Sequence, residues 1–128
     1  MFNTTEIEIG ADNRKRKLIA TMQNLYDIEE NVGSIYSLAM RCRAAISEND
    51  VSKALKMKEI RDVIFYGLQG DIDNPLQKNS IELEIFKRGY LHFAMPVAMF
   101  LMTALSGGEA QAKGADEPAV TTTEPATS

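Results

Sequence analysis

The chain has 128 residues, one domain's worth, with 45% hydrophobic and 25% charged residues, which are ordinary proportions for a globular domain. A net charge of −4 and a pI near 5.0 argue against bulk electrostatic binding to nucleic acid, which needs a concentrated excess of Lys and Arg. The single cysteine, Cys42, can form no internal disulfide, so the fold does not rest on an oxidising compartment.

The first residues, Met1 to Glu6, lack the basic segment and apolar run of a signal peptide. The longest apolar stretch, Ala94–Leu105, is interrupted by Pro96 and Thr103 and falls short of the roughly 20 residues that span a bilayer. The expectation is a cytoplasmic protein with no membrane partner.

Ile7 and Ile9 alternate with Glu6 and Glu8, a period of two that predicts a strand over Thr4–Ile9. Gly10, Asp12 and Asn13 supply a turn, and Arg14–Ala20 returns as the second strand of a hairpin. Glu6 and Glu8 are then set to face basic residues across the ribbon. A two-stranded ribbon is weak alone, so it must lie on helices or pair with another chain.

Thr21 is placed to cap a helix over Met22–Asn31, with Leu25, Ile28 and Val32 inward and Asp27, Glu29 and Glu30 outward. Gly33 is the expected left-handed stop. Ser34 opens a second helix, Ile35–Ala44, with Ile35, Leu38, Ala39 and Cys42 on one stripe. Residues 47–50 read as a loop, and residues 51–57 as either a short helix or an irregular link. Lys58–Leu68 has the clearest helical pattern, with Ile60, Val63, Ile64, Gly67 and Leu68 on one face, Gly67 offering a close helix contact and Gly70 ending the helix. Asp71 to Pro75 is a loop by its turn residues. Asn79 or Ser80 is expected to cap a fourth helix, Ile81–Arg88, which stops at Gly89. A last helix starts at Tyr90 or Met95 and runs to Leu105, with Pro96 in its first turn if it starts late. From Gly107 the chain is Gly, Ala, Thr, Pro, Glu and Ser with one Val, a composition that predicts a disordered tail over 107–128. The expected fold is mainly α (α+β): an N-terminal β-hairpin and a small bundle of four to five helices over residues 1–106.

Candidate chemistry is sparse. Asp71, Asp73 and Asn74 begin like a calcium loop, but Leu76 stands where the sharp-turn glycine belongs, so the segment reads as an acidic turn. His92, the one histidine, has no second His or Cys near it in sequence to share a metal, and reads as partly buried in the last helix. Cys42 lies between Arg41 and Arg43, a setting that favours a thiolate, against the plainer reading of a small helix residue. Neither Gly67–Gly70 nor Gly107-Gly108 has the strand-to-helix setting of a phosphate loop, and no nucleophile elbow is present. The basic run Arg14–Lys17, being in a strand, points to both faces and forms no single patch. Catalysis, cofactors and metal are therefore not expected.

The last helix is the segment of most interest. Met95, Val97, Met99, Phe100 and Met102, with their aliphatic neighbours, leave almost no polar face. Such a helix is either central, or is core on one side and a partner surface on the other. Methionines suit adaptable contact surfaces.

The order of segments resembles the gene transfer agent tail assembly chaperone family, phage-derived proteins also described as tail tube proteins. The matching pieces are the hairpin leading into Leu25–Gly33 (LYDIEENVG), Ser34–Ala39 (SIYSLA), Glu59–Ile64 (EIRDVI), Gly67–Gly70 (GLQG), and Pro96–Leu101 (PVAMFL) followed by Ala104–Gly107 (ALSG). The likeness covers about residues 4–107 and departs from the pattern at Arg14–Lys17 and in the tail. The resemblance implies a non-enzymatic helper in tail morphogenesis that coats the apolar, helical tape measure protein until tube subunits assemble. Possible partner-surface residues are Met95, Val97, Met99, Phe100 and Met102. The major tail protein and a second copy of the chain are further candidate partners. A structural tail or connector subunit is the alternative reading, and a small DNA-binding regulator the third.

Overall fold

The period-two start folds as a hairpin. In the computed structural model, which describes residues 4–10, 12–71 and 76–106, β1 (Thr4–Glu8) pairs antiparallel with β2 (Lys15–Ile19). The register sets Glu6 opposite Lys17 and Glu8 opposite Lys15, the charge pairing that the sequence suggests, and places Thr5 opposite Leu18 and Ile7 opposite Arg16. Positive φ at Gly10 and Asn13 closes the turn, with the Asn13 N–H donating to the Gly10 carbonyl at 3.0 Å.

Five helices follow: α1 (Met22–Asn31), α2 (Ile35–Ser47), α3 (Met57–Gly67), α4 (Lys78–Arg88) and α5 (Tyr90–Leu105). Thr21 and Ser34 cap α1 and α2, accepting from the N–H groups of Asn24 and Ser37. Gly33 is not left-handed. Helix α1 ends instead with Val32 and Gly33 both donating to the Ile28 carbonyl, and the Glu29 carboxylate accepts the Ile35 N–H at 3.1 Å to join α1 to α2. Residues 51–57 resolve into a 3-10 turn at Val51–Lys53 and a link to α3. Positive φ at Gly70 and Gly89 stops α3 and α4, as expected.

Helix α2 runs three residues past its expected end at Ala44, taking in Ser47 from the expected loop. Helix α4 starts three residues early, capped by Gln77 with no side-chain hydrogen bond, so neither Asn79 nor Ser80 is its cap. Of the two starts expected for α5, Tyr90 is the one formed, which puts Pro96 in its interior rather than its first turn. The loop at residues 72–75 and the tail from 107 lie outside the described residues.

The core gathers every element. Ile7, Ile9 and Leu18 of the hairpin and its turn meet Ile28 of α1, Leu38 and Cys42 of α2, Ile60, Val63 and Ile64 of α3, Ile81 and Ile85 of α4, and Phe93, Val97, Phe100 and Leu101 of α5. Helix α5 packs most extensively on α2 and also meets β1, α3 and α4. Gly67 makes its close approach to β2 rather than to a helix: a Cβ there would lie 3.0 Å from the Leu18 Cδ2.

The buried polar groups are all partnered, which is what makes their burial tolerable. The Asn24 amide donates to the carbonyls of Ile19 at 2.8 Å and Gln69 at 2.9 Å, tying α1 to β2 and to the end of α3. Arg16 reaches back to the Ile9 carbonyl and the Asp12 carboxylate. Asp62 pairs with Arg61 at 2.8 Å and Lys78 at 3.7 Å, and the Lys78 ammonium lies over the rings of Phe65 and Tyr66.

Candidate functional site

The residues singled out for chemistry go to structural places. Cys42 is fully buried in the α2 stripe, and burial pushes its thiol up to about 11 despite Arg41 beside it, so no thiolate forms near neutral pH. His92 is exposed rather than partly buried, with its Nε2 3.3 Å from the Glu8 carbonyl. The Asp71 carboxylate accepts the Lys17 backbone N–H at 2.6 Å and thus fastens the outer edge of β2; Asp73 and Asn74 are outside the described residues. The four residues Arg14–Lys17 divide between faces, with Arg16 buried and Arg14, Lys15 and Lys17 exposed. Among the described residues, no group of three or more His, Cys, Asp or Glu is placed to hold a metal ion.

Helix α5 divides lengthwise. Phe93, Ala94, Val97, Ala98, Phe100, Leu101 and Ala104 face the core. The opposite half carries Leu91, Met95 and Met99, exposed by 60%, 42% and 49%, with half-buried Met102 close to the same line. These positions are three or four residues apart, so they form one stripe. Of the five residues read from sequence as a partner surface, Met95 and Met99 are therefore open and Met102 borders them. Val97 and Phe100 are corrected to core: they occur on the half turn that meets α2 and α3, where α5 supplies the bulk that closes a small domain. No Asp, Glu, Lys or Arg lies between Tyr90 and Leu105.

The stripe continues into a groove. Leu105, exposed at the end of α5, lines it with Met22, Leu25 and Tyr26 of α1 and Ile35 and Tyr36 of α2. Its volume is about 360 Å³, and its lining is mostly apolar. Sequence reasoning missed this feature because Met22, Tyr26 and Tyr36 sit on helix faces that the apolar periodicity assigns to solvent. The signal was present in the type of residue: an aromatic or methionine on an otherwise polar face. A separate exposed pair, Leu83 and Phe86 on α4, was missed for the same reason; Phe86 is 80% exposed.

The electrostatics around the groove are one-sided. Between Lys17 and Arg41 the chain contains no basic residue, and the one charged side chain lining the groove is Glu29 of α1, whose carboxylate also accepts the Ile35 N–H. Arg41 itself is engaged by Glu59 in a two-pronged ion pair, Nη2 to Oε2 at 2.7 Å and Nη1 to Oε1 at 3.2 Å. At the other end of α5, Arg88 donates to the carbonyls of Glu8 and Gly10 and pairs with Glu84.

No helix among the described residues is long and apolar enough to cross a membrane. Comparison with protein-family models, curated proteins and solved structures finds no match for the chain. The class of protein defined here is thus a small hairpin-plus-five-helix domain with an uncharged, open apolar stripe.

Proposed function

We propose that this protein is a non-enzymatic tail assembly chaperone of the phage type, which holds the apolar, helical tape measure protein in solution during tail morphogenesis. It works in the cytoplasm of the cell that builds the particle. The observation that carries the reading is the open half of α5: Leu91, Met95 and Met99 form an exposed apolar stripe on a domain that already has a complete core. A contiguous apolar surface of this kind marks an interaction site. Methionines let one surface accept many apolar sequences, as a coat along a long helical partner requires. The acidic balance of the chain keeps such a complex in solution. The ordered segments that resemble the chaperone family support the same reading.

Co-expression with a phage-type tape measure protein tests the proposal. The expected result is a soluble complex, lost when Met95 and Met99 are both replaced by Lys. An insoluble tape measure protein and no complex would overturn it. A structural tail subunit, the second reading, would assemble through a hairpin edge. The Asp71 contact to the Lys17 N–H occupies part of the β2 edge, which weighs against that route. Rings or tubes of the pure protein in negative-stain micrographs would favour it.

A further inference from the structure

We infer that the groove between α1, α2 and the end of α5 sets the polarity of the docked partner: it receives a bulky apolar side chain from a helix whose adjoining turn carries lysine or arginine. This deepens the chaperone reading and rests on it only for the statement that the partner is a helix.

The argument begins with length. From Leu91 to Leu105 the open half of α5 spans fourteen helical steps, about 21 Å at 1.5 Å per residue. A partner helix lying along it needs about four turns. Its far end then arrives at Leu105, which belongs both to the stripe and to the groove. The groove's volume of about 360 Å³ sits at the small end of the roughly 300–1,000 Å³ typical of concave binding sites. It has room for an anchoring side chain rather than for a second helix. Tyr26, Tyr36 and Met22 around it are residue types that dominate such anchoring contacts.

Charge then orients the occupant. The stripe is neutral, but Glu29 lines the groove and is the one charged side chain there. The C-terminal carbonyls of α5 point the same way and add a partial negative charge there. Basic groups favour this end, and acidic groups meet repulsion. At the opposite end the charges are balanced, Arg88 pairing with Glu84 and Lys15 standing across the hairpin from Glu8, so the acidic bias lies at the groove end. A helix with a basic end and a neutral apolar face therefore docks in one direction.

Titration calorimetry on the full chain tests this with three synthetic 18-residue helical peptides. One has a leucine stripe with two lysines in its last turn, one has glutamates in their place, and one is a scramble of the first. The lysine peptide is expected to bind at least tenfold more tightly than the glutamate peptide at low ionic strength, with the gap narrowing in salt. Glu29→Gln, which keeps an acceptor for the Ile35 N–H, is expected to shrink that preference at least threefold, and Tyr36→Ala to weaken both peptides while leaving the circular dichroism spectrum and the melting temperature unchanged. Equal affinity for the lysine and glutamate peptides, or an unaltered preference in Glu29→Gln, overturns the inference. If the tape measure protein is still held in solution while this preference is absent, the groove assignment fails and the chaperone reading stands. If the preference is present but the tape measure protein is not solubilised, the chaperone reading fails and the directional docking surface stands.

Discussion

Glu84, near the end of α4, accepts a hydrogen bond at 3.2 Å from the backbone N–H of Gly10, 74 positions earlier in the chain. The same carboxylate pairs with Arg88 at 3.1 Å, and Arg88 donates onward to the Gly10 carbonyl at 3.2 Å and to the Asn13 side chain. The hairpin turn is thus clamped on α4 through both the N–H and the carbonyl of one residue, Gly10. Glu84→Ala leaves the buried Gly10 N–H without its acceptor and Arg88 without its carboxylate partner, at a cost of about 2–3 kcal/mol. Thermal unfolding should show a fall of roughly 10 °C in Tm. Glu84→Gln retains an acceptor and should lose about half as much.

Gly67 lies on the buried face of α3 because β2 crosses there. An alanine Cβ would meet the Leu18 Cδ2 at 3.0 Å, and Phe100 is the next neighbour. The helix gains up to about 1 kcal/mol from replacing glycine by alanine, and the squeezed methyl returns a similar cost. Gly67→Ala should therefore stay within about 1 kcal/mol of the parent in urea unfolding. Gly67→Leu, which has no such outlet, should lose on the order of 2–3 kcal/mol.

How far the sequence carried depended on what kind of signal each element left. The hairpin, the stripes of α1, α2 and α3, and the stops at Gly70 and Gly89 were legible because periodicity and turn chemistry are local. Gly33 misled, since a glycine after a helix suggests a left-handed cap, whereas here the Glu29 carboxylate caps α2 and holds the corner. Pro96 left the start of α5 open between Tyr90 and Met95, because proline favours a first turn; packing on α2 lets the helix begin at Tyr90 and carry the proline inside. The candidate surface was half legible. Composition identified α5 as too apolar to be an ordinary surface helix, yet only packing decides that Val97 and Phe100 turn inward while Met95 and Met99 turn out. The groove was not legible, because three separate segments build it.

Acid should weaken the fold through three carboxylates. The hydrogen bond from Arg16 holds Asp12 below its ordinary range, and the Ser52 hydroxyl does the same for Asp50. Burial pushes Glu59 upward, but the Arg41 guanidinium and the Lys56 N–H outweigh it, so Glu59 too is lowered. A lowered native pKa means that the unfolded chain binds protons more readily, so stability rises with pH across the titration. The contribution is complete above about pH 5 and disappears as pH falls through the native values. The urea midpoint should drop over that interval, and Arg41→Met should flatten the drop by removing the partner of Glu59.

Cys42 provides a reporter of opening. Its burial and a thiol pushed up to about 11 leave almost no thiolate at pH 8. Folded protein should resist a disulfide-exchange reagent for hours, whereas chain unfolded in urea should react within minutes. Fast reaction without urea would mean that α2 separates from α5 far more often than this packing implies.

The two halves of α5 should respond oppositely to substitution. Phe100 is wedged among α2, α3 and Leu18, so Phe100→Ala removes a large buried ring and should cost about 3–5 kcal/mol. Met95 and Met99 touch little of the core, so Met95→Lys and Met99→Lys should each remain within about 0.5 kcal/mol of the parent in urea unfolding. Both lysine variants should nonetheless abolish retention of the tape measure protein on a pull-down, because a charge in the middle of an apolar contact must be desolvated without a partner. Loss of fold in the lysine variants, or retention unchanged in both, would remove the outer face of α5 as the docking surface. The opposite pairing, a folded chain that no longer binds, separates a surface kept apolar for a partner from one kept apolar for the core.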